Sequence, residues 1–209
     1  MFQNRQQAGQ KLAKNLQQYK SKKPIILGIP RGGVVVAHEV AKALQAPLDV
    51  IVARKIGAPL QPEFAIGAIA PGDIRVFNEE SVRYFSLNKQ DLDALVFREQ
   101  QEMERRIDLY RAGRKKLALK DQTIIVIDDG LATGLTALAA VRSVKKAGAK
   151  EIILAVPVAA ADTIRKMQPE VDNIIYLSAP KDFGAVSQFY ADFPQATDEE
   201  VIGLLSRGE

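Results

Sequence analysis

The residues of this 209-residue chain best suited to chemistry lie in one stretch, Ile124-Ile125-Val126-Ile127-Asp128-Asp129-Gly130-Leu131-Ala132-Thr133-Gly134-Leu135-Thr136. Four apolar residues read as a buried strand, two carboxylates end it, and small and hydroxyl residues open the next helix. Backbone amides at a helix start, joined by the Thr133 and Thr136 hydroxyls, suit a phosphate dianion. Carboxylates repel such an anion, so Asp128 and Asp129 suit neutral hydroxyls or a divalent cation. A phosphate cradle from Ala132 to Thr136, through Thr133, Gly134 and Leu135, beside two hydroxyl acceptors implies a phosphorylated ribose. The stretch has neither the Gly-Lys-Ser/Thr ending of a Walker A loop nor Gly-x-Gly-x-x-Gly dinucleotide spacing.

Two other turns could hold anions. Gly28-Ile29-Pro30-Arg31-Gly32-Gly33 follows an apolar run. Its adjacent glycines, Gly32 and Gly33, let backbone amides approach a ligand, and Arg31 adds a fixed charge. Arg54-Lys55-Ile56-Gly57 puts two cations at the exit of the next apolar run, where a solvated pair is the alternative reading. Further on, Lys181 and Phe183 follow the last apolar run, with Phe189, Tyr190 and Phe193 close behind.

Together these segments resemble type I phosphoribosyltransferases, over roughly residues 24–57 and 123–180. Ile124 to Thr136 is similar to the family's phosphoribosyl pyrophosphate (PRPP) motif, with Gly130 in place of the usual aliphatic residue or Ser. Arg31-Gly32-Gly33 resembles the pyrophosphate loop, in which a strained peptide often precedes the first glycine. Arg54-Lys55-Ile56-Gly57 looks like the Arg-Lys-x-Gly segment of adenine-type members, and the chain looks like a bacterial group whose acceptor is unassigned. The resemblance implies a magnesium-dependent enzyme that displaces pyrophosphate from PRPP by a nitrogenous acceptor. In it Asp128 and Asp129 would hold the ribose hydroxyls, and the 132–136 cradle the 5′-phosphate. Arg31, Gly32, Gly33, Arg54 and Lys55 would receive pyrophosphate, with Asp129, Asp128 and Lys55 as the catalytic set. Lys181 and Phe183 would meet the acceptor. Magnesium would be bound mainly through PRPP, reaching Asp128 and Asp129 only by way of water. The alternative is a PRPP- or nucleotide-binding regulator of the same fold with little turnover. Asp129 reads as a solvent-facing strand end, so Asp129→Asn is expected to spare folding.

The elements that must position these residues follow an α/β pattern. Residues 2–19 read as an amphipathic helix, 25–29 as a buried strand, 34–45 as a helix and 48–53 as a second strand. The pattern resumes with a strand at 123–127, a helix at 135–147, a strand at 151–156, a helix at 159–167 and a strand at 173–177. Runs apolar on every residue predict an open, mainly parallel twisted sheet with helices on both faces. The expected organisation is one domain over 1–209, with an insertion at about 56–120 and a hood at about 178–209. The insertion holds short strands at 64–70 and 74–77 and a charged helix at 88–112. On that helix Leu92, Leu95, Val96, Met103, Ile107 and Tyr110 form a stripe for the core or a dimer contact, and a homodimer is expected.

Composition narrows the field. With no Cys and a single His, His38, thiolate metal sites and a Ser-His-Asp triad have nothing to build on. No apolar run approaches the roughly 18–20 residues that cross a bilayer, so no membrane partner and a cytoplasmic location are expected. The net charge of +4 is uneven, because residues 1–58 carry ten Lys and Arg against two acids. A basic first quarter could serve a nucleic acid, an anionic lipid surface or a small phosphorylated ligand. No helix-turn-helix or aromatic–basic platform accompanies it, so nucleic acid is not expected. Lys20, Lys22 and Lys23 read as a solvated turn and His38 as a surface residue.

Overall fold

Strands that are apolar on every residue need cover on both faces, and the computed structural model, which describes residues 1–111 and 113–206, shows that cover. The chain opens with α1 (Arg5–Leu16), β1 (Ile25–Gly28), α2 (Gly32–Leu44) and β2 (Leu48–Val50). Next come β3 (Arg54–Ala58), β4 (Gln61–Ala70), β5 (Ile74–Phe77), α3 (Glu79–Tyr84) and α4 (Lys89–Arg111). It continues through β6 (Thr123–Ile127), α5 (Leu135–Lys146), β7 (Glu151–Val158), α6 (Ala161–Met167), β8 (Asn173–Ser178) and α7 (Asp198–Ser206). Residue 112 of the expected long helix and residues 207–209 of the expected hood lie outside the described residues.

The main sheet has the order β2-β1-β6-β7-β8, and every pairing in it is parallel. Alternation within its strands feeds two cores. Ile125 and Ile127 of β6 enter one core with Leu12, Leu16, Val36 and Val40 of α1 and α2. Ile124 and Val126 enter the other, with Ala137, Val141 and Val144 of α5. Strand order runs outward in opposite directions from β1 and β6, so the switch point lies between them. The open α/β architecture expected from the sequence is the one observed. The sheet's far edge is covered too: Arg111 Nη2 donates to Val50 O at 3.3 Å and Arg114 Nη2 to Leu48 O at 3.4 Å.

The inserted segment differs from its reading. Of the turn-formers Gly57, Pro59 and Pro62, Pro59 lies in a turn, at 59–60, but Gly57 is in the strand Arg54–Ala58 and Pro62 in Gln61–Ala70, and β3-β4-β5 form a separate antiparallel sheet. Gly57 sits at a register shift, where a Cβ would lie 2.2 Å from Pro62 O. It is a bulge residue, chosen for close backbone approach rather than for a turn. α3 carries too few apolar positions to show a period in the sequence, whereas α7 shows one in Val201, Leu204 and Leu205 that the sequence reading left within the hood. The α4 stripe is core, with Val96, Met103 and Tyr110 buried and Leu92, Leu95 and Ile107 packed against them.

On the exposed side of α4, Glu102 accepts from Arg106 Nε at 2.7 Å and from both Arg105 Nε (2.7 Å) and Arg105 Nη2 (3.0 Å). The Arg105 hydrogen bond, reinforced by Arg106, lowers the Glu102 pKa from 4.5 to about 2. A depressed folded-state value means the stabilisation is complete above the ordinary carboxylate range and fades as pH falls toward 2. Glu102→Gln is therefore expected to cost about 0.5 kcal/mol at neutral pH. Urea melts of the two proteins should converge near pH 2.

Candidate active site

Three strand ends converge at one end of the main sheet. Gly28 of β1 is in register with Val50 of β2 and Ile127 of β6. Beyond these pairs, Ile29 N–H donates to Ile127 O (2.8 Å) and Ile51 N–H to Gly28 O (3.1 Å). The Arg31–Gly33 turn and the Asp128–Thr136 turn thus border one cleft at the switch point. Contact is tight: a Cβ on Gly32 would lie 2.0 Å from Asp129 Oδ2, and one on Gly33 would lie 2.8 Å from Ile127 O. The Pro30–Arg31 peptide just before these glycines is cis. Gly32→Ala is expected to push Asp129 aside, because that Cβ would also sit 2.6 Å from Arg5 Nε. Overpacking of this kind costs about 1–3 kcal/mol, readable as a lower melting temperature.

Behind Asp129 the loop is fixed to its neighbours. Leu131 N–H donates to Val158 O at 2.9 Å, Ala160 N–H donates to Leu131 O at 2.9 Å, and the Thr163 hydroxyl donates to Ala132 O. Gly134 caps α5 with φ +75°, a left-handed conformation that glycine adopts without penalty. The first carbonyl to re-enter the helix ladder is Gly134 O, taken by Leu138 N–H at 2.8 Å. The amides just before Leu138 are therefore the orphan donors of the helix start, in the 132–136 cradle read from the sequence. The unusual Gly130 is accounted for by Val186, whose Cγ1 lies 2.6 Å from where a Cβ would stand. The hood supplies the bulk that the loop residue lacks.

Asp128 and Asp129 are largely enclosed, and burial raises the pKa of both. The Asp129 charge pushes Asp128 further up, whereas Arg5 pulls Asp129 part of the way back. Arg5 Nε donates to Asp129 Oδ2 at 2.7 Å, with side chains 11% and 16% exposed. Its Nη1 donates to Pro194 O at 2.7 Å, and its guanidinium carbon lies 3.6 Å from the Phe193 ring centroid. Tyr190 Oη donates to Asp129 O at 2.7 Å, and burial beside Asp129 raises the phenol pKa. The expected solvent-facing strand end is instead clamped by the N-terminal helix and the hood. Sequence reasoning missed Arg5 because its partner is 124 residues away. A signal existed: Arg5 begins α1, where the helix dipole disfavours a cation.

The remaining cations are distributed unequally. Arg31 Nη1 lies 3.9 Å from Asp198 Oδ1 at the start of α7. Arg54 is turned onto α4, its Nε and Nη2 on Glu99 Oε2 at 3.0 and 2.6 Å. Strand alternation sends the neighbouring Lys55 to the opposite face, where it reaches Glu63 Oε2 at 3.1 Å. Lys20, Lys22 and Lys23 precede β1, at the end of the sheet away from the cleft, and Lys22 pairs with Glu151 at 2.6 Å. Lys181 is exposed, and the Phe183 ring packs 5.0 Å from that of Phe189 in an aromatic cluster with Phe2, Tyr190 and Phe193. His38 is half-buried on α2.

Among the described residues, no group of three or more His, Asp or Glu is placed to hold a metal ion. Two adjacent carboxylates still fit a hard cation that keeps most of its ligands from substrate oxygens and water. No helix among the described residues is long and apolar enough to cross a membrane.

Comparison with known proteins agrees with this geometry. Residues 2–194 match the phosphoribosyl transferase domain. The chain belongs to the phosphoribosyltransferase family. Its sequence is 42% identical over 207 residues to the Mycobacterium tuberculosis protein Rv0571c, provisionally named a phosphoribosyl transferase. That match covers 99% of this chain and 47% of the relative, so the chain spans about half the length of the mycobacterial protein. The crystal structure of TT1426 from Thermus thermophilus superposes with a TM-score of 0.82 at 38% identity, covering 99% of this chain and 98% of that one. A purine phosphoribosyltransferase from Pyrococcus horikoshii shares the fold at a TM-score of 0.50 and 20% identity, over 91% of this chain and 88% of that one.

Proposed function

We propose that the chain is a magnesium-dependent phosphoribosyltransferase that displaces pyrophosphate from PRPP by a nitrogenous acceptor. One observation carries the reading: the acid pair, the helix-start amides and the glycine turn lie side by side at the switch point. In this reading Asp128 and Asp129 accept hydrogen bonds from the ribose hydroxyls, and the 132–136 amides hold the 5′-phosphate. Arg31, the Gly32 and Gly33 amides and Lys55 receive pyrophosphate; Arg54 joins them only on leaving Glu99. Lys181 and Phe183 meet the acceptor beyond the last strand. When bound, magnesium neutralises charge on the departing pyrophosphate. The chain's own part is to orient the ribose and to place positive charge where the leaving oxygen develops negative charge.

The test is magnesium-dependent pyrophosphate release from PRPP against a panel of bases, amines and other acceptors. Release that depends on one acceptor class is expected. PRPP binding without release would instead favour a regulator of the same fold, and absence of PRPP binding would overturn both readings.

A further inference from the structure

The three cations that the transferase reading gives to pyrophosphate are paired with acids outside the two turns: Arg31 with Asp198, Arg54 with Glu99 and Lys55 with Glu63. Arg5 differs. Its partner is Asp129, an acid that the transferase reading gives to the ribose. It also abuts the other turn, since a Cβ on Gly32 would lie 2.6 Å from Arg5 Nε. The guanidinium therefore sits where both turns meet, within reach of groups bound by either. Resting on the transferase reading, we propose that Arg5 is a substrate-contacting cation that exchanges partners: it pairs with Asp129 before PRPP arrives and turns to the pyrophosphate oxygens as the ribose hydroxyls take Asp129.

Three features make the exchange physically reasonable. In the transferase reading the ribose hydroxyls and Arg5 share one carboxylate, Asp129, whose Oδ2 already accepts from Arg5. Pyrophosphate offers a guanidinium fork more charge and more oxygens than one carboxylate does. The Phe193 ring and Pro194 O hold the far side of the group.

Calorimetric titrations with inorganic pyrophosphate and with ribose 5-phosphate, each with magnesium, test this. Arg5→Gln should weaken pyrophosphate binding about 10- to 100-fold, the loss of a charge-assisted contact. Ribose 5-phosphate should bind the same variant unchanged or more tightly, because a competitor for Asp129 is gone. Arg5→Lys, which keeps the charge but not the fork, should lose less pyrophosphate affinity than Arg5→Gln. Asp129→Asn, which leaves Arg5 in place but weakens its hold, should tighten pyrophosphate and weaken ribose 5-phosphate. Parallel losses for both probes in Arg5→Gln would make Arg5 a support of the fold and overturn the exchange; parallel gains would make it a plug and do the same. Should Arg5→Gln fail to fold, Asp129→Asn decides alone, and unchanged or weaker pyrophosphate binding overturns the proposal. A wild-type protein that binds neither probe would instead overturn the transferase reading beneath it.

Discussion

Asp129→Asn should lower pyrophosphate release from PRPP by about 10²–10³-fold, the scale on which a single aimed polar group acts in a transition state. The substitution keeps the shape of the side chain but turns half of an acceptor-only group into a donor, which mismatches the ribose hydroxyls. Folding will not be spared, contrary to the expectation from a solvent-facing strand end. The carboxylate is 16% exposed and is the partner of an Arg5 side chain that is 11% exposed. Asn still offers Arg5 an oxygen but no charge, so a loss of about 1–2 kcal/mol in stability is expected. Turnover measured on the folded fraction, beside a thermal melt, separates the two effects. Unimpaired turnover with a lower melting temperature would make Asp129 purely structural.

The parallel sheet was legible because burial on both faces leaves a strong trace, as in β1 and β6, where every position is buried, whereas the strand order that sets the switch point was not. The carboxylate pair and the loop after it were legible because a chain must keep chemically awkward residues together to place them at one strand end. Interactions that join distant segments left no such trace. Arg5 and Asp129 carry nothing in their local sequence that names the other, and the same holds for Arg54 with Glu99 and Arg31 with Asp198. β3 was hidden because its first two residues are charged and its glycine marks a bulge. Arg54 and Lys55 looked equivalent as adjacent cations. Placing them on a strand separates them, since neighbours on a strand face opposite ways.

That separation makes Lys55 the sharper probe of how pyrophosphate leaves. Arg54 is engaged by Glu99 in a part-buried pair, so its removal would disturb α4 as well as the cleft. Lys55 is partnered by a Glu63 side chain that is 99% exposed, and such a pair contributes about 0–1 kcal/mol. Lys55→Ala should therefore leave the melting temperature nearly unchanged. If its ammonium meets pyrophosphate, its charge matters most as negative charge builds on the departing oxygen. Turnover should then fall more than PRPP affinity does, the signature of a contact that strengthens in the transition state. A loss of about 2–4 kcal/mol of barrier stabilisation corresponds to roughly 30- to 1000-fold in rate. Titration with PRPP and magnesium, run beside a pyrophosphate-release assay, reads both quantities. Weaker binding with no turnover to lose would identify a sensor. Unchanged binding and unchanged turnover would leave Lys55 a solvated partner of Glu63, and Arg31 and Arg5 would then carry the pyrophosphate charge.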